Sequence, residues 1–281
     1  PGLAEVAIGM KTVEEAVSVR NWVLERIEVA SVLDDPDARR RALTVVVVGG
    51  GFAGVETISE LEDMAREAVN RNDRLSVSDL RFVMIEAAPR IMPEVPEDRA
   101  EKVVAELRAR GIEVLLNTSL SDATDGHLQL INMTDKSPAG EMDTDTLIWT
   151  AGVAASPMLK NTDFPIDERG RVRVNADLRV AGDNGVVEGA WAAGDNAAVP
   201  DLSGGGVGGF CVPNAQHASR QALVLAKNIL ASRRGEPLTD YYHETIGVVA
   251  GLGLWKGVAN FKGKTFAGPL AWIMHRGYHG S

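Results

Sequence analysis

Two carboxylates and a run of glycines are the residues whose types and spacing could hold a nucleotide. In Val48-Gly49-Gly50-Gly51-Phe52-Ala53-Gly54-Val55-Glu56, the residues Gly49, Gly51 and Gly54 fall on a G-x-G-x-x-G spacing. The three glycines meet different needs, namely a tight turn, close backbone approach to a phosphate, and close packing of a helix on a strand. A helix opening at Phe52 and Ala53 would aim free N–H groups and a partial positive charge at a pyrophosphate. Glu86 ends the run Leu80-Arg81-Phe82-Val83-Met84-Ile85. A carboxylate there accepts hydrogen bonds from ribose hydroxyls and repels a 2′-phosphate, so NAD(H) is expected over NADP(H). Arg90 is the nearby charge that could admit NADPH; read otherwise, it is a solvated loop residue.

The second carboxylate is Asp195, in Gly189-Ala190-Trp191-Ala192-Ala193-Gly194-Asp195-Asn196. At the carboxyl end of a short strand it could hydrogen-bond a sugar-alcohol hydroxyl; an ordinary turn after a strand is the alternative. The loop Ser203-Gly204-Gly205-Gly206-Val207-Gly208-Gly209 is poor in side chains, so its backbone could come close to a flat ligand. A helix from about Pro213-Asn214-Ala215-Gln216-His217-Ala218 to Arg233 would then project the Gln216 amide toward that ligand. His217 also reads as a surface or packed helix histidine.

These groups act only if a scaffold presents them, and the pattern is that of an α/β protein. Val45–Val48 is a β-branched run suited to a buried parallel strand, and Val55, Ile58, Leu61, Ala65 and Ala68 follow at helical spacing. Further helices are expected over 13–30, at the basic run Arg39-Arg40-Arg41, and over 97–110 with Gly111 as a left-handed cap. Strands are expected at 112–116 and at Thr146–Gly152, with a hairpin turning at Asp125-Gly126.

Composition narrows the function. The chain has 281 residues, enough for two domains, and a formal charge of −10 that would repel nucleic acid. Cys211 is the single cysteine, which leaves no disulfide framework or Cys-rich metal site and fits reducing, cytoplasmic surroundings. No run approaches the ~18 apolar residues of a membrane span. From His243 onward, Lys256, Lys262, Lys264 and Arg276 face one acid, Glu244, a net of +3, and are mixed with Trp255, Phe261, Phe266, Trp272 and Tyr278. Cations among aromatics suit a membrane–water interface with anionic lipid; a small core segment with buried aromatics is the other reading.

In their order, these segments resemble the two-dinucleotide-binding flavoprotein oxidoreductases, and within them the type II NADH dehydrogenases, single-subunit NADH:quinone oxidoreductases of bacterial membranes. The likeness rests on the glycine run, on Trp149-Thr150-Ala151-Gly152-Val153, Ala193-Gly194-Asp195 and Ala215-Gln216-His217-Ala218, and on Leu270-Ala271-Trp272-Ile273-Met274-His275-Arg276-Gly277-Tyr278-His279. It implies a Rossmann-like NAD domain (43–152) inserted in a partial FAD domain (1–42 and 153–242), with 243–281 starting a quinone- and membrane-proximal region. NADH and FAD are the implied cofactors and a membrane quinone the acceptor, without proton pumping. The implied location is the cytoplasmic face of the bacterial inner membrane, with peripheral anionic-lipid contact, a homodimer as one assembly, and the chain itself soluble. Glu56 would assist proton movement near the nicotinamide–flavin contact. Asp195, with Gly194, would hold the ribityl chain, and Gln216, flanked by Ala215 and His217, would lie beside the isoalloxazine at the quinone pocket. Ala151 and Gly152 complete the cofactor-binding set.

The chain departs from that pattern in three places. No second glycine fingerprint precedes the first and the sequence ends two residues past His279, so it reads as a fragment; and Arg220, with Gln221 beside it, stands where many members carry a second glutamine. The alternatives are an NADH-binding module without flavin catalysis of its own, or a ferredoxin- or rubredoxin-reductase-like flavoprotein. A sulfide:quinone oxidoreductase would need a redox cysteine pair.

Overall fold

Alternation along three apolar strands decides how the middle of this protein is layered. The computed structural model describes residues 1–93, 95–204, 206–244, 247–261 and 264–279. Gly205 and Lys262, both singled out above, lie outside the described residues, as do the side chains of Val207, Phe261, Lys264, Tyr278 and His279. The chain divides into two units, Pro1–Ala151 with Ile246–Ser281, and Gly152–Thr245.

The first unit opens with α1 (Leu3–Val6), β1 (Ala7–Gly9), α2 (Val13–Val32) and α3 (Pro36–Ala42). There follow β2 (Thr44–Val48), α4 (Phe52–Asn70), β3 (Arg81–Ile85), α5 (Glu97–Ala109), β4 (Ile112–Leu115), β5 (Thr118–Asp122), β6 (His127–Asn132), β7 (Pro138–Asp143) and β8 (Thr146–Trp149). Five strands form one parallel sheet in the order β1-β8-β2-β3-β4. Because successive side chains of a strand point to opposite faces, Val45, Val47, Phe82 and Met84 join a core with Val55, Ile58, Leu61 and Ala65 of α4 and Val103 and Leu107 of α5. Val46, Val48, Val83 and Ile85 instead meet Leu128, Leu130 and Met142 from the three-stranded sheet β5-β6-β7. Both faces are therefore covered, as a parallel sheet requires.

The expected elements are present: α4 follows the glycines, Gly111 has φ +85° after α5, and Asp125 and Gly126 (φ 52° and 75°) turn the hairpin. Thr12 begins α2 with a reciprocal cap, its Oγ1 accepting from Glu15 N–H at 3.1 Å while Glu15 accepts from Thr12 N–H at 2.9 Å.

In the second unit, β9 (Val172–Arg173) pairs in parallel with β12 (Ala197–Ala198), and β10 (Arg179–Gly182) pairs antiparallel with β11 (Gly185–Trp191). Asn214 caps α6 (Ala215–Arg234) by accepting His217 N–H at 2.8 Å, and Gly235 ends it at φ +68°. Val172, Leu178, Val180, Val199 and Tyr241 form the core of this unit.

The chain then returns to the first unit as β13 (Gly247–Gly251), β14 (Gly257–Phe261), β15 (Lys264–Ala267) and α7 (Pro269–His279). Residues 1–42 lie in the glycine-turn unit, because β1 supplies the outer neighbour of β8 and α2 packs Val19, Val23 and Ile27 into the core that α4 shares. The C-terminal strands join it too, since Ala250 and Leu252 enter that same core.

Candidate functional site

The carboxyl ends of β2, β3 and β8 bring most of the candidate residues of the first unit together. Gly49 leaves β2 at φ +113°, and its N–H donates to Ile85 O at 2.8 Å. A Cβ on Gly49 would stand 2.8 Å from Ala151 N, and one on Gly54 would stand 1.8 Å from Gly49 O. Only glycine lets the first turn of α4 close on the loop this tightly. Gly51 behaves differently: a Cβ there meets nothing within 4 Å. It is the N-cap of α4 and makes no side-chain cap hydrogen bond, so the helix that opens at Phe52 and Ala53 starts without a side-chain cap. An anion fits such a terminus.

Glu86 extends from the end of β3 over this turn. Its Oε2 accepts Gly50 N–H at 2.6 Å and its Oε1 accepts Ala88 N–H at 2.7 Å. The separation of Gly54 from Glu86 exceeds the usual ~20 residues because α4 is long and a loop with a single 3-10 turn, Val77–Asp79, precedes β3. The Arg90 guanidinium donates to Val95 O at 3.0 Å and to Pro93 O at 2.6 Å. It is occupied by its own loop, which leaves Glu86 as the charge at the turn. Thr150, which sequence reasoning passed over as a site residue, places Oγ1 2.9 Å from Val48 O and 3.2 Å from Gly49 O and so braces the turn. Its position directly after an apolar strand was the available signal.

Glu56 is half-buried on α4, four residues past its start. Its Oε1 accepts Gly251 N–H at 3.0 Å and lies 2.9 Å from His275 Nε2 of α7. No sequence signal links these residues.

In the second unit, Gly194 (φ +68°) starts the short turn that carries Asp195. Gly194 N–H donates to Oε1 of the buried Gln221 at 2.7 Å. Gln221 thus anchors the Gly-Asp turn to α6, a role missed in the sequence, where it figured only as the neighbour of Arg220. Asp195 Oδ1 is buried with no hydrogen-bond partner among the described residues. Gly194, Asp195, Cys211, His217 and Gln221 line one small cavity. An unsatisfied carboxylate oxygen at a cavity wall is costly unless a donor fills it, and a ligand hydroxyl is such a donor. Gly152 (φ +76°) has open space at its Cβ, Ala215 is exposed, and Gln216 is half-buried with its carbonyl accepting from Arg220 at 3.0 Å.

His217 is packed within the second unit. It is buried, with Nδ1 2.9 Å from the Tyr241 hydroxyl and its ring edge-on to His243. Burial, then the neighbouring His243, lowers its pKa; burial, then Arg220, does the same for His243. Burial pushes the Cys211 thiol up to about 11, which keeps it protonated and unreactive.

At the C-terminus the aromatics are not simply a buried core. Trp255 is 54% exposed and stacks on Trp272 with ring centroids 4.4 Å apart, while Leu254, Leu270 and Ile273 beside them are also exposed. Arg276 lies over the Trp272 ring. Among the described residues, no helix is long and apolar enough to cross a membrane.

Residues 5–222 match the family model described as pyridine nucleotide-disulphide oxidoreductase. Demethylphylloquinone reductase NdbB of Synechocystis is 30% identical over 279 residues, covering 98% of this chain and 61% of that protein. The type II NADH:quinone oxidoreductase Ndh of Mycobacterium tuberculosis is 27% identical over 282 residues, covering 96% of this chain and 57% of that protein. The chain thus spans about three fifths of the length of these curated relatives. Among solved structures, NDH2 from Plasmodium falciparum in complex with NADH shares the fold, with a TM-score of 0.84 at 16% identity, over 99% of this chain and 70% of that one.

Proposed function

Because the chain belongs to the pyridine nucleotide-disulphide oxidoreductase family, we propose that it serves an NADH:quinone oxidoreductase that works through FAD. The observation that carries this reading is the pairing of two nucleotide-type sites in one chain. One is the glycine turn with Glu86, and the other is the Gly194-Asp195 turn with its unsatisfied buried carboxylate oxygen. The relatives named as quinone reductases supply the acceptor class.

In this reading the N-terminus of α4 receives the pyrophosphate of NADH, with Gly51 keeping the approach clear, Gly49 and Gly54 letting the turn close, and Ala151 flanking it. Glu86 exchanges its bond to Gly50 N–H for ribose hydroxyls and rejects a 2′-phosphate by repulsion. Asp195, held by the Gln221–Gly194 bond, accepts a ribityl hydroxyl of FAD, and Gln216 faces the quinone. Bound FAD would supply the two-electron carrier between hydride donor and quinone. Glu56 moves a proton. The reaction pumps no protons, and the Trp255–Trp272 patch with Lys256 and Arg276 rests on anionic lipid at the cytoplasmic face of the inner membrane.

The test is NADH oxidation by the FAD-supplemented protein with a short-chain quinone, compared with NADPH. Quinone-dependent consumption of NADH, with NADPH a poor substitute, is the expected result. Tight NADH binding with no turnover would favour the nucleotide-binding module instead, and turnover only with iron–sulfur acceptors the ferredoxin-reductase-like alternative.

A further inference from the structure

Gly50 is the glycine that the G-x-G-x-x-G spacing does not require, yet both of its backbone groups are held. It is buried. Its N–H donates to Glu86 Oε2 at 2.6 Å, and its carbonyl accepts Met92 N–H at 2.8 Å. A Cβ on Gly50 would stand 2.6 Å from Cγ2 of Ile91, so the segment after β3 lies directly against the turn. That segment is itself anchored. The Arg90 guanidinium donates to Pro93 O and Val95 O, and Val95 N–H donates to Met92 O at 2.9 Å. Ile91, Met92 and Val95 are buried in the core that α4 and α5 share.

Met92 has a left-handed backbone, with φ 47°. It is not a glycine, and it precedes Pro93, where an extended conformation is the rule. Such a conformation persists only where the surroundings over-determine it, and it gathers at sites that bind or react. Burial accounts for an apolar side chain at position 92. The left-handed backbone adds the aim of its N–H at Gly50 O.

That hydrogen bond sets the direction of the next N–H along the turn. Across a trans peptide the carbonyl and the following N–H point opposite ways. With Gly50 O drawn toward Met92, Gly51 N–H points away from that segment, and it has no partner among the described residues. A Cβ on Gly51 meets nothing within 4 Å. An uncommitted N–H beside the N-terminus of α4 is a donor for an anion. Resting on the NADH reading, in which Glu86 leaves Gly50 for the ribose, we propose that Met92 is a positioning residue for the pyrophosphate. By keeping Gly50 O, it holds Gly51 N–H toward the phosphate oxygens once Glu86 has let go.

The test compares Met92→Ile with Met92→Leu in the full chain, by NMR titration with ADP and with adenosine, which lacks the phosphates. Both variants keep an apolar side chain of similar volume, but a β-branched residue resists a positive φ. Met92→Ile is expected to weaken ADP binding about 10-fold, the low end for one hydrogen bond to a charged group, with adenosine binding unchanged. Met92→Leu is expected to bind both ligands like the wild type. In the wild type the Gly51 amide signal is expected to move with ADP and to stay with adenosine. Undiminished ADP binding in Met92→Ile, equal loss of ADP and adenosine, Met92→Leu as weak as Met92→Ile, or a Gly51 signal indifferent to ADP overturns the proposal. If Met92→Ile does not fold, an ester in place of the Met92 amide removes the donor alone, and the same selective loss of ADP is required of it. A wild-type chain that binds neither ADP nor NADH overturns the NADH reading itself, and the role of Met92 with it; wild-type binding with no selective loss in the variants overturns the role of Met92 only.

Discussion

Gly51 and Gly54 stand three residues apart in one motif yet are required for different reasons, and substitution separates them. A methyl at Gly54 would be driven into Gly49 O, a backbone atom that cannot step aside. Gly54→Ala is expected to destabilise the first unit by about 3 kcal/mol, the upper end for overpacking, as read by urea denaturation. Gly51→Ala meets open space and should leave the denaturation midpoint unchanged while weakening NADH binding, because the methyl occupies the volume a phosphate needs. A shifted midpoint for Gly51→Ala would mean that the open space belongs to the fold rather than to a ligand. Glu86→Ala is expected to weaken NADH binding by ~1–2 kcal/mol, a lost charged hydrogen-bond acceptor, and to raise the relative affinity for NADPH in a fluorescence titration. The spacing of the glycines made this turn readable, since it depends on near neighbours. That Glu86 bonds Gly50 N–H could not be read, because it depends on how β2 and β3 register.

The helices carry interactions their own periodicity does not announce. Arg110, just past α5, reaches Glu62 and Asp63 on α4 and Leu252 O, and both Arg110 and Glu62 are almost fully buried. Removing one member of a buried charged network costs about 3–5 kcal/mol, because the partner charge stays behind. Arg110→Ala is expected to lose that much by denaturation and to raise hydrogen exchange in the β13–β14 hairpin; unchanged exchange there would deny the clamp. In the second unit, α6 turns His217 and Gln221 inward, so its buried side is polar and hydrophobic periodicity could not reveal its purpose. His217 and His243 each bind a proton less readily folded than unfolded. Their contribution to stability is therefore complete above the ordinary pKa of 6.5 and is lost as pH falls through the lower folded values. Urea midpoints measured down this range should drop in the wild type and drop less in His217→Gln; identical slopes would remove His217 as the cause.

Across the whole molecule, charge is divided between an acidic body and a C-terminal segment of net +3. Trp255, Leu254 and Ile273 are exposed, and Arg276 lies over the Trp272 ring that Trp255 meets. The chain is expected to co-float with vesicles of anionic lipid, less in high salt and hardly at all with zwitterionic lipid, and Ile273→Asp should weaken the binding. Equal binding to both lipids would leave the cations without that role. The α/β class, the strand–glycine–helix turn, the acidic residue after β3 and the family likeness follow from order along the chain alone. They rest on contacts between near neighbours, or on side-chain periods of two and of 3.6 residues that any reader of the sequence can count. Packing alone decided that residues 1–42 and the C-terminal strands share a unit with the glycine turn, that Gln221 holds Gly194, and that His275 finds Glu56. Those pairs join residues far apart in sequence, and which distant side chain fills a given gap is settled only when buried surfaces and polar groups are satisfied together.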